Sequence, residues 1–400
     1  MAEAAVNLQR GFGLKRLIVI GAALLTSACA TIVPRGVPDA DRPPPPRPET
    51  TRPTPIEPGL PQDDARHRVA LLVPMSGSNA GVGQSIANAT QLALLDTRSE
   101  RVRITTYDTA RGAAAAAQAA LADGNRLILG PLLAEDVRAV APIARRANVP
   151  VLSFSNDSAV AGNGAFLMGY SPAQSIARVV EHARSTGVTQ FAGLVPVGMY
   201  GQRASTAYLR AVEDAGGQVV SLQTYDRSRN SISAAVAKLA QTSPYQAVLI
   251  ADGASAAGNA VPILRRSPTG KAARVMGTEL WNTDSAVGSN AALSGAWYAS
   301  VPNNLYRQFA TKYRTRFGAA PYRLASLGYD AVLLTVRIAR DWRIGDRFPA
   351  SRLTSSDGYA GLDGPFRFGR DGVAQRALEV QEVRGGTTVT VSPAPKTFGD

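Results

Sequence analysis

From His67 onward the chain alternates short apolar runs with segments of helical period, and it does so twice. Residues 68–73, 102–107, 126–129 and 149–154 read as buried strands, with helices expected over 81–95 and 111–122 and from Ala134. Short continuous apolar runs separated by helices predict a parallel sheet covered on both faces. The pattern then restarts, with helices over 172–186, 200–215, 231–241 and 254–266 and strands over 191–195, 218–222, 247–250 and 274–277. Leu305, Phe309, Tyr313 and Phe317 recur every fourth residue, which predicts a helix with one buried stripe. A second helix carries Leu324, Leu327, Ala331, Leu334 and Ile338. Residues 377–383 and 387–391, joined through Gly385 and Gly386, read as a β-hairpin. The expected fold class is α/β: two lobes, each a doubly wound parallel sheet, with a C-terminal β-hairpin. Lobe 1 is expected over 67–171 and 300–345, and lobe 2 over 172–299 and 346–400. A cleft should lie between them at the carboxyl ends of the strands.

Everything before His67 has a different character. Lys15 and Arg16 precede the apolar run Leu17–Leu25, which ends in Thr26-Ser27-Ala28 and the only cysteine, Cys29. A cationic start, a short apolar stretch and small residues make a secretory signal; a membrane span needs roughly 20 apolar residues. The run Leu24–Cys29 resembles the lipobox of bacterial lipoproteins, in which the cysteine becomes the acylated first residue, although Thr26 stands where that pattern prefers Leu. The alternative is ordinary cleavage near Ala28 or Ala30, leaving a free thiol. Residues 30–66 hold 11 of the 26 prolines and almost no large apolar side chains. Such a segment cannot bury enough surface to offset its ordering, so it reads as a tether. The expected organisation is a lipoprotein signal over 1–28, a Pro-rich tether over 29–66 and a folded part over 67–400.

One cysteine allows no intramolecular disulfide, so stability must come from packing. Removing residues 1–28 takes away three cations and one anion, which lowers the net charge from +13 to +11. A basic exported protein can sit against anionic envelope polymers or lipid headgroups, but the arginines look scattered along the chain. No basic run is interleaved with aromatics, which argues against nucleic-acid binding. Catalysis finds little support. His67 and His182 are the only histidines, one at the tether exit and one on an expected helix. No Cys/His cluster has metal-ligand spacing, so neither a metal nor another cofactor is expected. Gly77 and Gly81-Val82-Gly83 are followed by no Gly-Lys-Ser/Thr and lack a third spaced glycine. There is no G-x-S-x-G elbow either.

The strand-end loops are more informative. Ser76 and Gly77 follow the first strand, Pro131, Leu132 and Leu133 the third, and Ser153, Ser155 and Asn156 the fourth. In the second unit Tyr200, Asp252, Glu279 and Trp281 occupy equivalent places. Helix N-termini at such loops point N–H groups into a cleft and suit an anion or carboxylate. These twelve residues are the candidate ligand site.

The segments Arg68–Gly77 and Ala87–Leu94 resemble the opening of type I periplasmic binding proteins, the leucine-binding group. Leu129–Val137 and Ala147–Ser153 are similar to penicillin-binding protein activator lipoproteins. So are Gly277–Trp281, Arg323–Asp330, Gly358–Phe368 and Arg376–Val380, and the resemblance spans roughly 67–398. It implies a two-lobed type I periplasmic-binding fold without catalysis. Activators of this kind are outer-membrane lipoproteins that stimulate a peptidoglycan synthase by contact, and a long tether fits that work. The resemblance therefore implies a periplasmic, lipid-anchored regulator at the outer membrane whose partner is a penicillin-binding protein. The alternative is an ABC-transporter substrate-binding protein for amino acids or similar small molecules, with a permease as partner. Amino-acid binders of this group place Ser and Thr hydroxyls after the third strand, whereas Pro131–Ala134 has none. An unsatisfied buried carboxylate costs about 1–3 kcal/mol per missing partner. Glu279 lies near where such binders hold an ammonium group. The chain lacks the N-terminal helical-repeat domain of the activators.

Overall fold

The computed structural model describes residues 65–398. The signal segment, Cys29 and the tether through residue 64 lie outside the described residues.

Lobe 1 begins with β1 (His67–Val73), α1 (Ala80–Thr97), β2 (Val102–Asp108), α2 (Ala113–Ala122), β3 (Leu127–Leu129), α3 (Ala134–Arg146), β4 (Val151–Ser153) and β5 (Ala165–Leu167). Its sheet is parallel throughout, in the order β2-β1-β3-β4-β5. Successive side chains of a strand point to opposite faces, and β1 shows the consequence. Val69, Leu71 and Val73 enter one core, while Ala70 and Leu72 enter the core beneath α2 and α3. A strand buried on both faces has no polar side to alternate, which is why it reads as a continuous apolar run.

Lobe 2 repeats the plan with α4 (Pro172–Ser185), β6 (Gln190–Pro196), α5 (Met199–Asp214), β7 (Gln218–Tyr225), α6 (Arg229–Ala240), β8 (Ala247–Ile250), α7 (Ala254–Leu264), β9 (Arg274–Gly277) and β10 (Trp297–Ser300). The chain then returns to lobe 1 as α8 (Asn304–Phe317) and α9 (Ala325–Ile338), followed by a small antiparallel sheet of β11 (Tyr359–Gly361), β12 (Gly364–Phe368) and β13 (Ala374–Arg376). It crosses back to form the hairpin of β14 (Glu379–Arg384) and β15 (Thr387–Ser392), which extends the second sheet to β15-β14-β10-β9-β8-β6-β7.

Two expectations need correction. Residues 346–376 were expected in lobe 2, but Phe348, Leu353, Tyr359, Phe366, Phe368 and Ala374 pack into the lobe 1 core with Val69 and Leu71. Only the final hairpin crosses. In α8 the stripe is buried at Phe309 and Tyr313 and half-buried at Phe317, but Leu305 is exposed at the first turn and stays outside the cluster with α1 and α9.

Gly83 has a packing role and no phosphate role: a Cβ there would come within 1.8 Å of the Pro74 carbonyl oxygen. Gly130 combines a φ of +89° with a Cβ position 2.0 Å from the Leu72 carbonyl, a place only glycine fills without strain. Both histidines serve packing. His67 stacks on Trp342 with ring centroids 3.7 Å apart, and His182 meets the edge of Trp297 at 4.6 Å. Burial lowers the pKa of each ring. Among the described residues no helix is long and apolar enough to cross a membrane.

Candidate functional site

The chain passes between the lobes three times, at residues 168–171, 301–303 and 377–378. A small, largely enclosed cavity of about 10 Å³ lies where these crossings meet. Tyr170 and Ser171 line it from the first crossing, Ser300 and Val301 from the second, and Arg376 and Leu378 from the third. Glu279, Asn282 and Thr283 enter from the segment after β9, Gln174 and Ser175 from α4, and Arg323 from the approach to α9.

The charges around this cavity are buried. Arg323, Arg376 and Glu279 are each 7% exposed. Arg323 Nη2 donates to Asp363 Oδ1 at 2.7 Å, and Nη1 donates to the hydroxyls of Ser326 at 2.8 Å and Tyr170 at 3.0 Å. Tyr170 and Ser326 donate in turn to Asp363 Oδ2 at 2.6 and 2.9 Å. Burial pushes the Asp363 carboxyl up, but Arg323 and Arg376 outweigh it and hold the group below the usual carboxylate range. Arg376 donates through Nη2 to the Met168 carbonyl at 2.7 Å and lies over the rings of Phe366 and Tyr170. Its Nε and Nη1, and Nε of Arg323, have no protein partner.

On the lobe 2 side, Tyr200 Oη donates to Glu279 Oε1 at 3.0 Å and lies 3.0 Å from Thr278 Oγ1. Glu279 Oε2 has no protein partner. Burial raises the Glu279 pKa to about 7, against hydrogen bonds that favour the charged form. The cavity thus holds a carboxylate from lobe 2 and two guanidinium groups from lobe 1, and each of the three carries an unpaired buried polar atom.

The twelve residues expected at the site are not all brought together. Glu279 lines the cavity, and Tyr200 supports it by a hydrogen bond. Asn156 is exposed and lines a separate groove of about 490 Å³ that also includes Arg203 and Arg210 of α5. Ser76 Oγ donates to Asp108 Oδ2 at 3.0 Å, so the Ser76-Gly77 turn is tied to β2. Ser153 Oγ donates to the Pro131 carbonyl at 2.9 Å and accepts the Ser155 N–H at 3.0 Å. Ser155 Oγ accepts the Asp157 N–H at 3.2 Å. Both hydroxyls are therefore engaged within lobe 1, by the loops after β3 and β4. Leu132 packs against the lobe 1 core, and Leu133 precedes α3.

Asp252 and Trp281 do not line the cavity. Asp252 takes two hydrogen bonds from Arg227, at 2.8 and 3.0 Å, and one from Tyr225 at 2.9 Å. Trp281 is fully buried in the lobe 2 core and donates Nε1 to the Asp252 carbonyl at 3.0 Å. Both were placed at strand ends, where one residue decides between facing the cleft and facing the core.

Sequence reasoning missed Tyr170, Gln174, Arg323 and Arg376 as site residues. A signal was present at the arginines, since Arg323 leads into the apolar helix α9 and Arg376 precedes Ala377-Leu378. Among the described residues no group of three or more His, Cys, Asp or Glu side chains could hold a metal ion.

A family model described as "Periplasmic binding protein" matches residues 67–387. A branched chain amino acid ABC transporter periplasmic ligand-binding protein from Burkholderia xenovorans LB400 is 18% identical, with a TM-score of 0.67, over 84% of this chain and 96% of that one. A solute binding protein of an ABC transporter from Rhodopseudomonas palustris BisB5, solved with 3,4-dihydroxy benzoic acid, is 20% identical (TM-score 0.63, 84% and 98% covered). Full-length LpoA from Haemophilus influenzae is 18% identical with a TM-score of 0.63, over 82% of this chain and 60% of that one. Likenesses at this level of identity establish the fold alone.

Proposed function

The chain belongs to the periplasmic binding protein family, in the type I, leucine-binding-protein-like superfamily, and from that premise we propose that it is a non-catalytic solute receptor of an ABC-type transporter. Its ligand is an amino acid or similar small molecule that carries a carboxylate and a hydrogen-bond-donating or cationic group. One observation carries this reading: Glu279 and Arg376 line one interlobe cavity, and both have buried polar atoms without protein partners. A ligand carboxylate satisfies Arg376 and Arg323, and a ligand ammonium satisfies Glu279 Oε2. Leaving such groups unpaired costs about 1–3 kcal/mol each, and more for charges, so the ligand recovers that cost on binding. In this closed arrangement the cavity holds only about 10 Å³, room for about one water, so the lobes part to admit the ligand. The partner in this reading is a permease.

The test is a thermal-shift and calorimetric screen of amino acids and aromatic carboxylic acids. A ligand at about 100 times its Kd stabilises by about 2.7 kcal/mol. If no such compound at millimolar concentration moves the melting temperature, the reading fails.

A second reading is a regulator of peptidoglycan synthesis that contacts a penicillin-binding protein. It is favoured by the loop Pro131–Ala134, which has no hydroxyl, and by the internal engagement of Ser153 and Ser155, which leaves these lobe 1 loops without a free hydroxyl for an amino-acid carboxylate. Pull-down of the cell's bifunctional penicillin-binding proteins checks it, and absence of both binding and rate change rejects it. In either reading family membership implies the periplasm. Acylation at Cys29, with outer-membrane anchoring in the second reading, is checked by following membrane association of Cys29→Ser.

A further inference from the structure

In a parallel α/β lobe every connection from a helix to the next strand lies on one edge of the sheet. The connections that meet the ligand cleft lie on the opposite edge. In lobe 1 this cleft-distal edge collects arginines that are far apart in sequence. The connection from α1 to β2 supplies Arg98 and Arg101, both exposed. Arg101 Nη1 donates to the Ala339 and Arg340 carbonyls at 3.4 and 3.1 Å, which brings the segment after α9 to the same place. That segment supplies Arg340, Arg343 and Arg347, all exposed. The end of α3 adds Arg145 and Arg146, where cations complement the helix C-terminus.

Carboxylates are fewer on this edge, and several are engaged. Asp96 pairs with Lys312, Asp123 accepts from Tyr107 at 2.7 Å and Asp341 pairs with Arg352 at 2.7 Å, while Glu100 and Asp346 are exposed. Helix α3 shows the polarity of the lobe, with Glu135 and Asp136 in its first turn at the cleft edge and its arginines at the far end. Ile344, between Arg343 and Arg347, is 47% exposed. The described residues begin at this pole, just before β1, with His67 stacked on Trp342.

We propose that the cleft-distal pole of lobe 1 docks on an anionic lipid surface, with its guanidinium groups against phosphate headgroups and Ile344 entering the interface. Arginine suits phosphate because its planar fork donates two parallel hydrogen bonds. Each basic side chain near an anionic bilayer contributes on the order of a fivefold gain in partition, within a Debye length of the surface. Docking by this edge leaves the interlobe cavity at the opposite end of lobe 1, away from the bilayer. It rests neither on what that cavity binds nor on acylation of Cys29.

The test compares the full chain with Arg340→Glu/Arg343→Glu/Arg347→Glu, both carrying the same first 64 residues, in vesicle co-sedimentation. The vesicles are phosphatidylcholine alone or with about 30% phosphatidylglycerol. At about 50 mM salt the wild type should gain at least about tenfold in partition when the anionic lipid is added, and lose the gain by about 500 mM. The triple variant should show little gain, whereas Arg229→Glu/Arg266→Glu on lobe 2 should keep it. Ile344→Ser should weaken binding to anionic vesicles without changing its salt dependence. Melting curves verify that the variants fold, and the corresponding Arg→Gln triple variant replaces the charge reversal if it does not. Equal partition into both vesicles overturns the proposal, as does a gain that survives the triple substitution. Binding to a soluble anionic polymer without any vesicle gain overturns it as well.

Discussion

Arg203, on α5 of lobe 2, places Nη2 2.7 Å from Oδ2 of Asp157 in lobe 1. The same oxygen receives Arg138 of lobe 1 at 2.9 Å, and Asp157 Oδ1 accepts the Ala159 N–H at 3.0 Å. Arg138 and Ala159 hold the carboxylate in place whether or not the lobes meet. Arg203 bonds to it only when they do, so this ion pair favours closure over opening.

Replacing Arg203 with Ala should therefore shift the lobes toward an open arrangement while leaving Asp157 paired through Arg138. Arg203 is about a third exposed, so solvent screens the pair, and the effect on closure should be about 1 kcal/mol. Ligand affinity should fall about fivefold and the radius of gyration should increase. Titration and small-angle scattering on the same sample measure both; unchanged values for both would show that the pair does not couple the lobes.

Glu279 should make stability depend on pH. Burial raises its pKa from 4.5 to about 7, so the native state holds its proton longer than the unfolded chain does. Its contribution is fully present below about pH 4.5 and is lost as pH rises through about 7. The loss is on the order of 3 kcal/mol. Asp330, also raised to about 7 by burial and then by Asp363, acts in the same window. The measurement is thus the difference in urea midpoint between wild type and Glu279→Gln from pH 4 to pH 8. The variant should show the shallower decline. A cationic ligand should bind more tightly as pH rises toward 7, and that dependence should vanish in the variant.

Arg323→Met should be strongly destabilising, because it leaves Asp363 as a fully buried charge with only hydroxyl donors and Arg376 nearby. Breaking one side of a buried pair costs about 3–5 kcal/mol. The double variant Arg323→Met/Asp363→Leu should recover part of that loss in chemical denaturation. A double variant less stable than the single would refute the assignment of the cost to the orphaned carboxylate.

Gly83→Ala should destabilise lobe 1 although alanine favours helices. Its Cβ would fall 1.8 Å from the Pro74 carbonyl, which is backbone and cannot rotate away. Overpacking of this kind costs roughly 1–3 kcal/mol or more. Differential scanning calorimetry would register a lower melting temperature, whereas an unchanged one would mean that α1 shifts freely.

The two-lobed plan is readable because strands buried on both faces leave apolar runs, and covering helices leave a period near four. Strand Arg274–Gly277 and the C-terminal hairpin follow from those local patterns. Residues 346–376 did not, since short antiparallel strands carry no signal of which core they join. Tyr200 and Glu279 were legible as polar residues at strand ends. Asp252 shares that position, and its role as partner of Arg227 and Tyr225 depends on side-chain directions that spacing does not encode.

Sequence by itself determined the fold class, the order of the elements and the contrast between residues 1–66 and the rest, because those properties depend on local periodicity and composition. Tertiary structure decided which charges meet. Arg323 and Arg376, 53 residues apart, enter one cavity because the approach to α9 and the start of the third crossing converge there. Arg98, Arg145 and Arg343 look scattered along the chain and share an edge only because every helix-to-strand connection of a parallel lobe is brought to the same side. Electrostatic sites depend on distance in space, and parallel topology sets that distance almost independently of separation along the chain.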